Sequence, residues 1–268
     1  MELSQRIVLI TGASDGIGKQ LAIDLAKRGA VVIGCGRSIE RLKEVLKEVR
    51  QSSPASAMMG CDVSDQEQVH GMCEKILADF GRVDILVNNA GIGMRQPFAD
   101  MPLATIEAII QTNYLGAVYC THALLPSMIA RGAGHIVNIS SVAGKIGTLN
   151  MAAYCASKFA MNGWSESLYH ELKPLGVKVS VVCPGPVHTG FNRNFPNSQP
   201  QSPESLFVSP DAVSAAIIRV IERNRAEHIM PPTLALLSWI KQAAPGLFRY
   251  FAQRHFRSHV VVPIRERA

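Results

Sequence analysis

Tyr154-Cys-Ala-Ser-Lys158 sets a phenol and an ammonium four residues apart. On a helix, residues at that spacing share one face, with β-carbons about 5–6 Å apart. A free tyrosine titrates near pH 10 and is a poor proton donor or acceptor at neutrality. A neighbouring ammonium favours the phenolate and draws its pKa toward working pH, so the pair suits general acid/base transfer. Ser140 and Ser141 stand upstream, just after the apolar run His135–Ile139. Tyr-x-x-x-Lys by itself is common. Its weight here comes from following a strand-end serine pair in a chain that opens on a glycine turn.

That turn, Thr11-Gly-Ala-Ser-Asp-Gly-Ile-Gly18, joins the first predicted strand to the first predicted helix. Gly16 and Gly18 would let backbone approach a pyrophosphate, whose charge then sits at the helix N-terminus. The spacing is G-x-x-x-G-x-G rather than the dinucleotide fingerprint G-x-G-x-x-G. The second predicted strand ends Gly36-Arg37-Ser38. An NAD site wants a carboxylate there for the ribose 2′-hydroxyl, whereas an NADP site wants an arginine for the 2′-phosphate. Gly36 offers no side chain, Arg37 follows, and Arg41 lies one helical turn on, so two guanidiniums can clamp a phosphate. The expected cofactor is therefore NADP(H) in preference to NAD(H). Asp15 counts slightly against that site.

The elements that must hold these residues alternate along the chain. Strands are predicted at Ile7–Thr11, Val31–Cys35, Ala57–Cys61, Ile85–Asn88, His135–Ile139, Val177–Val182 and His228–Met230. Helices are predicted over 16–28, 39–50, from a capping box Ser64-Asp-Gln-Glu67 to Phe80, 103–113, 114–130, 151–172, and from Ser209-Pro210 to Asn224. Continuous Val/Ile strands between helices read as parallel βαβ units covered on both faces. The expected fold is α/β: one Rossmann-type, doubly wound domain over 1–230 with a mainly parallel sheet of about seven strands, plus a helical C-terminal appendage over 231–268. Residues 191–208, rich in Pro, Ser, Asn and Gln, read as a loop.

Composition excludes other classes. Of 268 residues, 47% are hydrophobic and 18% charged, too apolar for disorder. The six cysteines form no C-x-x-C pair, so buried free thiols are expected rather than a disulfide framework or a metal site. No apolar run is long enough for a membrane span, and the first residues are too short an apolar run for a signal peptide, so a cytoplasmic location is expected. The net charge of +6 sits mostly in residues 241–268, where Lys241, Arg249, Arg254, Arg257, Arg265 and Arg267 face only Glu266. That placement argues against a nucleic-acid surface on the main domain. The tail also carries Trp239, Phe248, Tyr250, Phe251 and Phe256. Its apolar face could pack on the domain or on a second subunit, closing the substrate pocket. The same basic, aromatic composition also suits peripheral association with an anionic membrane surface.

TGASDGIG at 11–18, NNAG at 88–91, Asn113, SSVAG at 140–144, YCASK at 154–158 and PGPVHT at 184–189 occur in an order and spacing that resemble the short-chain dehydrogenase/reductase family over about residues 5–230. The segment Asn113–Tyr119 and the apolar tail are similar to the ketosphinganine-reductase branch. The resemblance implies an oxidoreductase interconverting a ketone and a secondary alcohol, with Tyr154 as general acid/base. Lys158 would lower the pKa of Tyr154 and bind the nicotinamide ribose, Ser141 would polarise the carbonyl, and Asn113 would hold a water linking Lys158 to solvent. It further implies cofactor contacts from Gly12, Ser14, Gly16, Ile17, Gly18, Arg37 and Arg41, from Asp62 and Val63 at the adenine, and from Asn89, Ala90 and Gly91 at the ribose. Pro184, Gly185, Val187 and Thr189 would border the nicotinamide. The expected substrate is a hydrophobic carbonyl or alcohol, selected by residues 142–151, His188 and the 191–208 loop, and the expected assembly is a homo-oligomer. A catalytically weak cofactor-binding or scaffold protein of the same fold is the alternative, as is, more remotely, an epimerase or dehydratase.

Overall fold

A computed structural model of the chain describes residues 2–191 and 204–257. Seven apolar runs pair as strands: β1 (Ile7–Thr11), β2 (Val31–Gly36), β3 (Ala57–Gly60), β4 (Ile85–Asn88), β5 (Gly134–Ile139), β6 (Val177–Pro184) and β7 (Glu227–Met230). They form one sheet in the order β3-β2-β1-β4-β5-β6-β7. Every pairing is parallel, with Ile7 opposite Val31, Ile85 opposite His135 and Gly134 opposite Val177. Alternate residues of one strand feed opposite faces, which is why β1 is apolar from Ile7 to Ile10. Val8 and Ile10 join a cluster with Leu21, Leu25, Val45, Ile217 and Ile221, while Leu9 joins Ile33, Ile76, Leu124 and Leu168 on the other side. The first cluster is covered by α1 (Gly16–Ala26), α2 (Ile39–Arg50) and α7 (Pro210–Arg223), the second by α3 (Gln66–Phe80), α5 (Gly116–Ala130) and α6 (Ala152–Leu172). Strand order reverses between β1 and β4, and in such sheets ligands bind at the carboxyl ends of the strands beside that reversal. The expected Rossmann-type domain is the observed one.

Two local expectations are corrected. Helix α3 is capped by Asp65, not Ser64. The Asp65 carboxylate accepts from Glu67 N at 3.0 Å and Gln68 N at 3.1 Å, and Gln68 Nε2 returns a bond at 2.8 Å. Ser64 is engaged elsewhere, its hydroxyl donating to Asp62 Oδ1 at 2.7 Å. The expected break between two helices at 113/114 is absent. Helix α4 (Leu103–Ile110) passes into α5 through a π-turn over Gln111–Leu115. A π-turn widens the ladder by one residue and often marks a functional position; here it carries Asn113.

Beyond β7, Pro232–Ala243 forms α8 and Pro245–Arg257 forms α9, separated at the proline. Leu234 and Ser238 of α8 are buried, and Lys241 Nζ lies 4.8 Å from the centre of the Phe159 ring. The near half of the tail therefore packs on the domain. In α9, Leu247, Tyr250 and Phe251 stay exposed.

His135, on β5, is fully buried, its Nε2 sharing a 2.8 Å hydrogen bond with Ser180 Oγ. Burial pushes its pKa down to about 3. The unfolded imidazole titrates near 6.5, so the unfolded chain binds the proton first as pH falls. The stability that neutral His135 contributes is complete above about 6.5 and is lost as pH drops toward 3, by roughly 1.4 kcal/mol per pH unit below about 6. In urea unfolding between pH 7.5 and 4.5, His135→Gln should flatten the acid limb by that slope. Parallel limbs for the two proteins would refute the assignment.

Candidate active site

The carboxyl ends of β1, β2, β4, β5 and β6 open into a cavity of about 770 Å³. Its wall takes in Gly12, Ser14, Gly16 and Ile17 of the first turn and Gly36, Arg37 and Arg41 of the second. Asp62 and Val63 follow β3, Asn89, Ala90 and Gly91 follow β4, and Ser141 follows β5. Tyr154 and Lys158 come from α6, and Pro184, Gly185, Val187 and Thr189 from the end of β6. Two of the sequence candidates stand off the wall: Gly18 and Asn113.

The glycine turn has the geometry that its composition allows. Gly12 and Gly16 adopt φ of 69° and 55°, the left-handed region that glycine enters without a Cβ penalty. At Gly18 a Cβ would lie 2.3 Å from Gly12 O and 2.6 Å from Asn89 Nδ2, so this glycine lets the helix start close against the turn. Thr11 and Asn89 fix the turn to β4. Thr11 Oγ1 accepts from Asn89 N and Ala90 N, both at 3.0 Å, and Asn89 Nδ2 donates to Thr11 O at 2.9 Å. The Asp15 side chain caps α1 through Gly16 N at 2.7 Å.

At the second strand, Arg37 and Arg41 are exposed along the cavity rim. Arg41 is not committed to the cavity alone, because its Nη1 lies 3.7 Å from Asp15 Oδ2. An exposed pair of this kind contributes about 0–1 kcal/mol. The carboxylate of Asp62 is turned onto Ser64, accepting from its N at 3.0 Å as well as its hydroxyl.

The reactive residues converge at the other end. Ser141 caps a short turn through Ala143 N at 3.1 Å. The Tyr154 ring packs with Met151 and Cys155 and lies 5.7 Å from the Phe191 ring. Lys158 is buried, donates from Nζ to Ile139 O at 2.8 Å, and sits 5.8 Å from the centre of the Tyr154 ring. Burial pushes Tyr154 up to about 12, with the Ser141 hydrogen bond pulling the other way, and burial pushes Lys158 down to about 8. In each case desolvation disfavours the charged form.

Asn113, fully buried on the π-turn, is satisfied by protein. Its Oδ1 accepts from Ile92 N at 2.7 Å, and its Nδ2 donates to Ile92 O at 2.9 Å and Ser157 Oγ at 3.0 Å. It thus ties the loop after β4 to α6, one residue before Lys158.

Several wall residues had no sequence signal strong enough to single them out. Ile92 and Arg95 come from the loop after β4, Leu206 and Phe207 from the far side of the loop region, and Leu234 and Leu237 from α8. The three-residue spacing of the two leucines was the available clue. Val187 bridges Val208, and His188 stacks on Phe207 with ring centres 4.5 Å apart. His188 thus lines the cavity as a packed ring. Phe195, expected in the substrate region, lies outside the described residues.

A nicotinamide dinucleotide fits these residues. Gly12, Gly16 and Gly36 bring bare backbone to the cavity wall; a Cβ would lie 2.9 Å from Ala90 Cα at Gly12, 3.1 Å from Thr189 Cγ2 at Gly16 and 3.3 Å from Ser14 Oγ at Gly36. Residues 6–200 match the family described as short chain dehydrogenase. The chain is 36% identical over 266 residues to dehydrogenase/reductase SDR family member 7B of Xenopus tropicalis, covering 93% of this chain and 85% of that protein. It is 37% identical over 229 residues to the ketoacyl reductase HetN of Nostoc sp., covering 85% and 79%. Among solved structures, a short chain dehydrogenase/reductase from Burkholderia phymatum in complex with NAD superposes with a TM-score of 0.83 at 25% identity, over 92% of this chain and 96% of that one. Fold, family pattern and near full-length relatives agree: the chain belongs to the short-chain dehydrogenase/reductase family of nicotinamide-dependent oxidoreductases.

Proposed function

We propose that this oxidoreductase interconverts a ketone and a secondary alcohol on a hydrophobic small molecule, prefers NADP(H) to NAD(H), and moves the substrate proton through Tyr154. The observation that carries this reading is the convergence of Tyr154, Ser141 and Lys158 on the wall of the cavity that also holds the glycine turn. The nicotinamide, when bound, exchanges hydride with the substrate carbon. Tyr154 keeps its proton up to about pH 12 and so offers a donor to a carbonyl oxygen throughout the neutral range. Ser141, on the same wall as Tyr154, donates to Pro184 O at 3.4 Å and would turn its hydroxyl to orient that oxygen. Lys158 stands beside Gly91, its Nζ 3.8 Å from where a Cβ would be, within reach of a ribose hydroxyl. Asn113 is a positioning residue that fixes α6 against the loop after β4. The substrate wall includes Ile146, Met151, Phe191, Leu206, Leu234 and Leu237, which favours an apolar ketone such as an acyl chain. The activity of the Nostoc relative, by its name, points the same way. The test is NADPH consumption against ketones graded by chain length. Rising kcat/KM with chain length is expected; no consumption with any ketone would favour the scaffold alternative.

The exposed tail face supports a peripheral contact with an anionic lipid surface as part of this reading. Leu236, Trp239, Leu247, Tyr250 and Phe251 are exposed beside Lys241, Arg249 and Arg254, and residues 232–257 contain no Asp or Glu. Among the described residues no helix is long and apolar enough to cross a membrane. Basic residues near an anionic surface are worth roughly 1 kcal/mol each and are screened by salt. The full chain should co-sediment with phosphatidylserine vesicles at low salt and much less at high salt. Salt-independent dimerisation through this face, read by light scattering without vesicle binding, would assign it to a homo-oligomer interface instead.

A further inference from the structure

The proposed proton transfer uses Ser141 but gives no role to Gly144, at the other end of the same short turn. A Cβ at Gly144 would stand 2.6 Å from Lys158 O and 2.6 Å from Asn162 Nδ2, so this turn lies directly against α6. Asn162 follows Lys158 by four residues, which places it on the same face of α6, and it is buried. Its Nδ2 donates to Gly144 O at 2.8 Å. Its Oδ1 accepts from Cys183 Sγ at 3.6 Å, nearer to that thiol than Glu227 Oε1 at 4.0 Å. Burial pushes Cys183 up to about 12, so the thiol keeps the proton that this contact needs. Cys183 precedes Pro184, whose carbonyl accepts from Ser141 Oγ at 3.4 Å. One buried amide therefore joins the three segments that meet at the reactive end of the cavity: the Ser141 turn, helix α6 with Tyr154 and Lys158, and the end of β6.

We infer that Asn162 is a positioning residue that holds the Ser141 turn on α6 and so sets the separation of the Ser141 hydroxyl from Tyr154. This rests on the ketone-reducing reading and deepens it. The site needs a donor toward Gly144 O and an acceptor toward the thiol, which one amide supplies. A carboxylate would turn an acceptor on Gly144 O, and an alkyl side chain would leave that buried carbonyl without its donor. Asn162 stands off the cavity wall, so its effect on the reaction passes through the turn rather than through substrate or cofactor. A misplacement of about 1 Å at a reacting group can cost about 100-fold in rate, and the turn has that freedom once its tie to α6 is lost.

The test uses the full chain with NADPH and 2-decanone. Asn162→Leu should lower kcat about 10- to 100-fold, while KM for the ketone and the dissociation constant of NADPH each change less than about threefold. The deciding readout is a double-mutant cycle with Ser141→Ala. Where the Ser141 hydroxyl is already gone, Asn162→Leu should change the residual kcat less than about threefold, because the group it positions is absent. An unchanged kcat in Asn162→Leu, a loss of the same size in both backgrounds, or a matching loss of NADPH affinity overturns the inference while the ketone reading stands. If the leucine variant does not fold, Asn162→Ser, which keeps a shorter donor, takes its place in the cycle with the same outcomes. If the wild type reduces neither 2-decanone nor any other ketone, that reading falls, and crystal structures of the wild type and the folded variant still decide Asn162. A Val142–Gly144 turn displaced from α6, carrying Ser141 away from Tyr154, supports the positioning role, and an unmoved turn overturns it.

Discussion

Tyr154→Phe is expected to lower kcat at least about 100-fold, the lower end of what a positioned general acid/base supplies. The substitution removes one hydroxyl and keeps the ring, which packs with Met151 and Cys155 and faces Phe191 at 5.7 Å. The contacts that fix the glycine-turn end, Thr11 with Asn89 and Ala90, do not involve that oxygen, so cofactor affinity should hold within a few-fold. Retention of more than a tenth of the wild-type kcat would remove Tyr154 from the proposed role. The pH dependence carries a second sign. Burial holds the phenol protonated up to about 12, so the donor needed for reduction is present across neutrality. Oxidation needs the phenolate, whose fraction rises about tenfold per pH unit below that value. Reduction should therefore stay level between about pH 6 and 7.5 while oxidation climbs.

Much of this arrangement was legible from residue order, for physical reasons that differ along the chain. A strand such as Ile7–Thr11 announces itself because burial on both faces demands a nearly continuous apolar run. The glycines at 12 and 16 are legible because only a left-handed backbone makes them necessary. Tyr154 and Lys158 share a helix face, and that spacing brings them to one wall. What the spacing could not convey was depth. Burial disfavours the charged form of each group, and burial is a property of the packed chain. The π-turn under Asn113 has no local signature, since Gln111–Leu115 reads as ordinary helix until Ile92 and Ser157 claim the amide. Asp65 displaces Ser64 as the α3 cap because Asp62, across a turn, takes the serine hydroxyl.

Arg37→Asp is expected to invert the cofactor preference. Wild type should bind NADPH more tightly than NADH by roughly 1.5–3 kcal/mol, the range of a hydrogen bond to a charged group. The reasoning begins at Gly36, where the strand end carries no carboxylate to receive a ribose 2′-hydroxyl, and a Cβ there would lie 3.3 Å from Ser14 Oγ. Asp62 is partly engaged, its Oδ1 accepting from Ser64 N and Oγ, which leaves only Oδ2 for such a hydroxyl. Of the two guanidiniums on the rim, Arg41 also faces Asp15 at 3.7 Å, which lowers its net pull on a phosphate. Arg37 should therefore carry the larger share, and Arg41→Ala should cost less than Arg37→Ala. Placing Asp at 37 removes the attraction and adds repulsion toward a 2′-phosphate, while giving a 2′-hydroxyl the acceptor it lacks. Dissociation constants for both reduced cofactors, measured by fluorescence titration at fixed ionic strength, decide the matter. If the wild type binds NADPH and NADH equally, the strand-end reading is wrong. If it prefers NADPH and Arg37→Asp keeps that preference, the phosphate is held elsewhere, and Arg41 with its Asp15 partner becomes the next position to change.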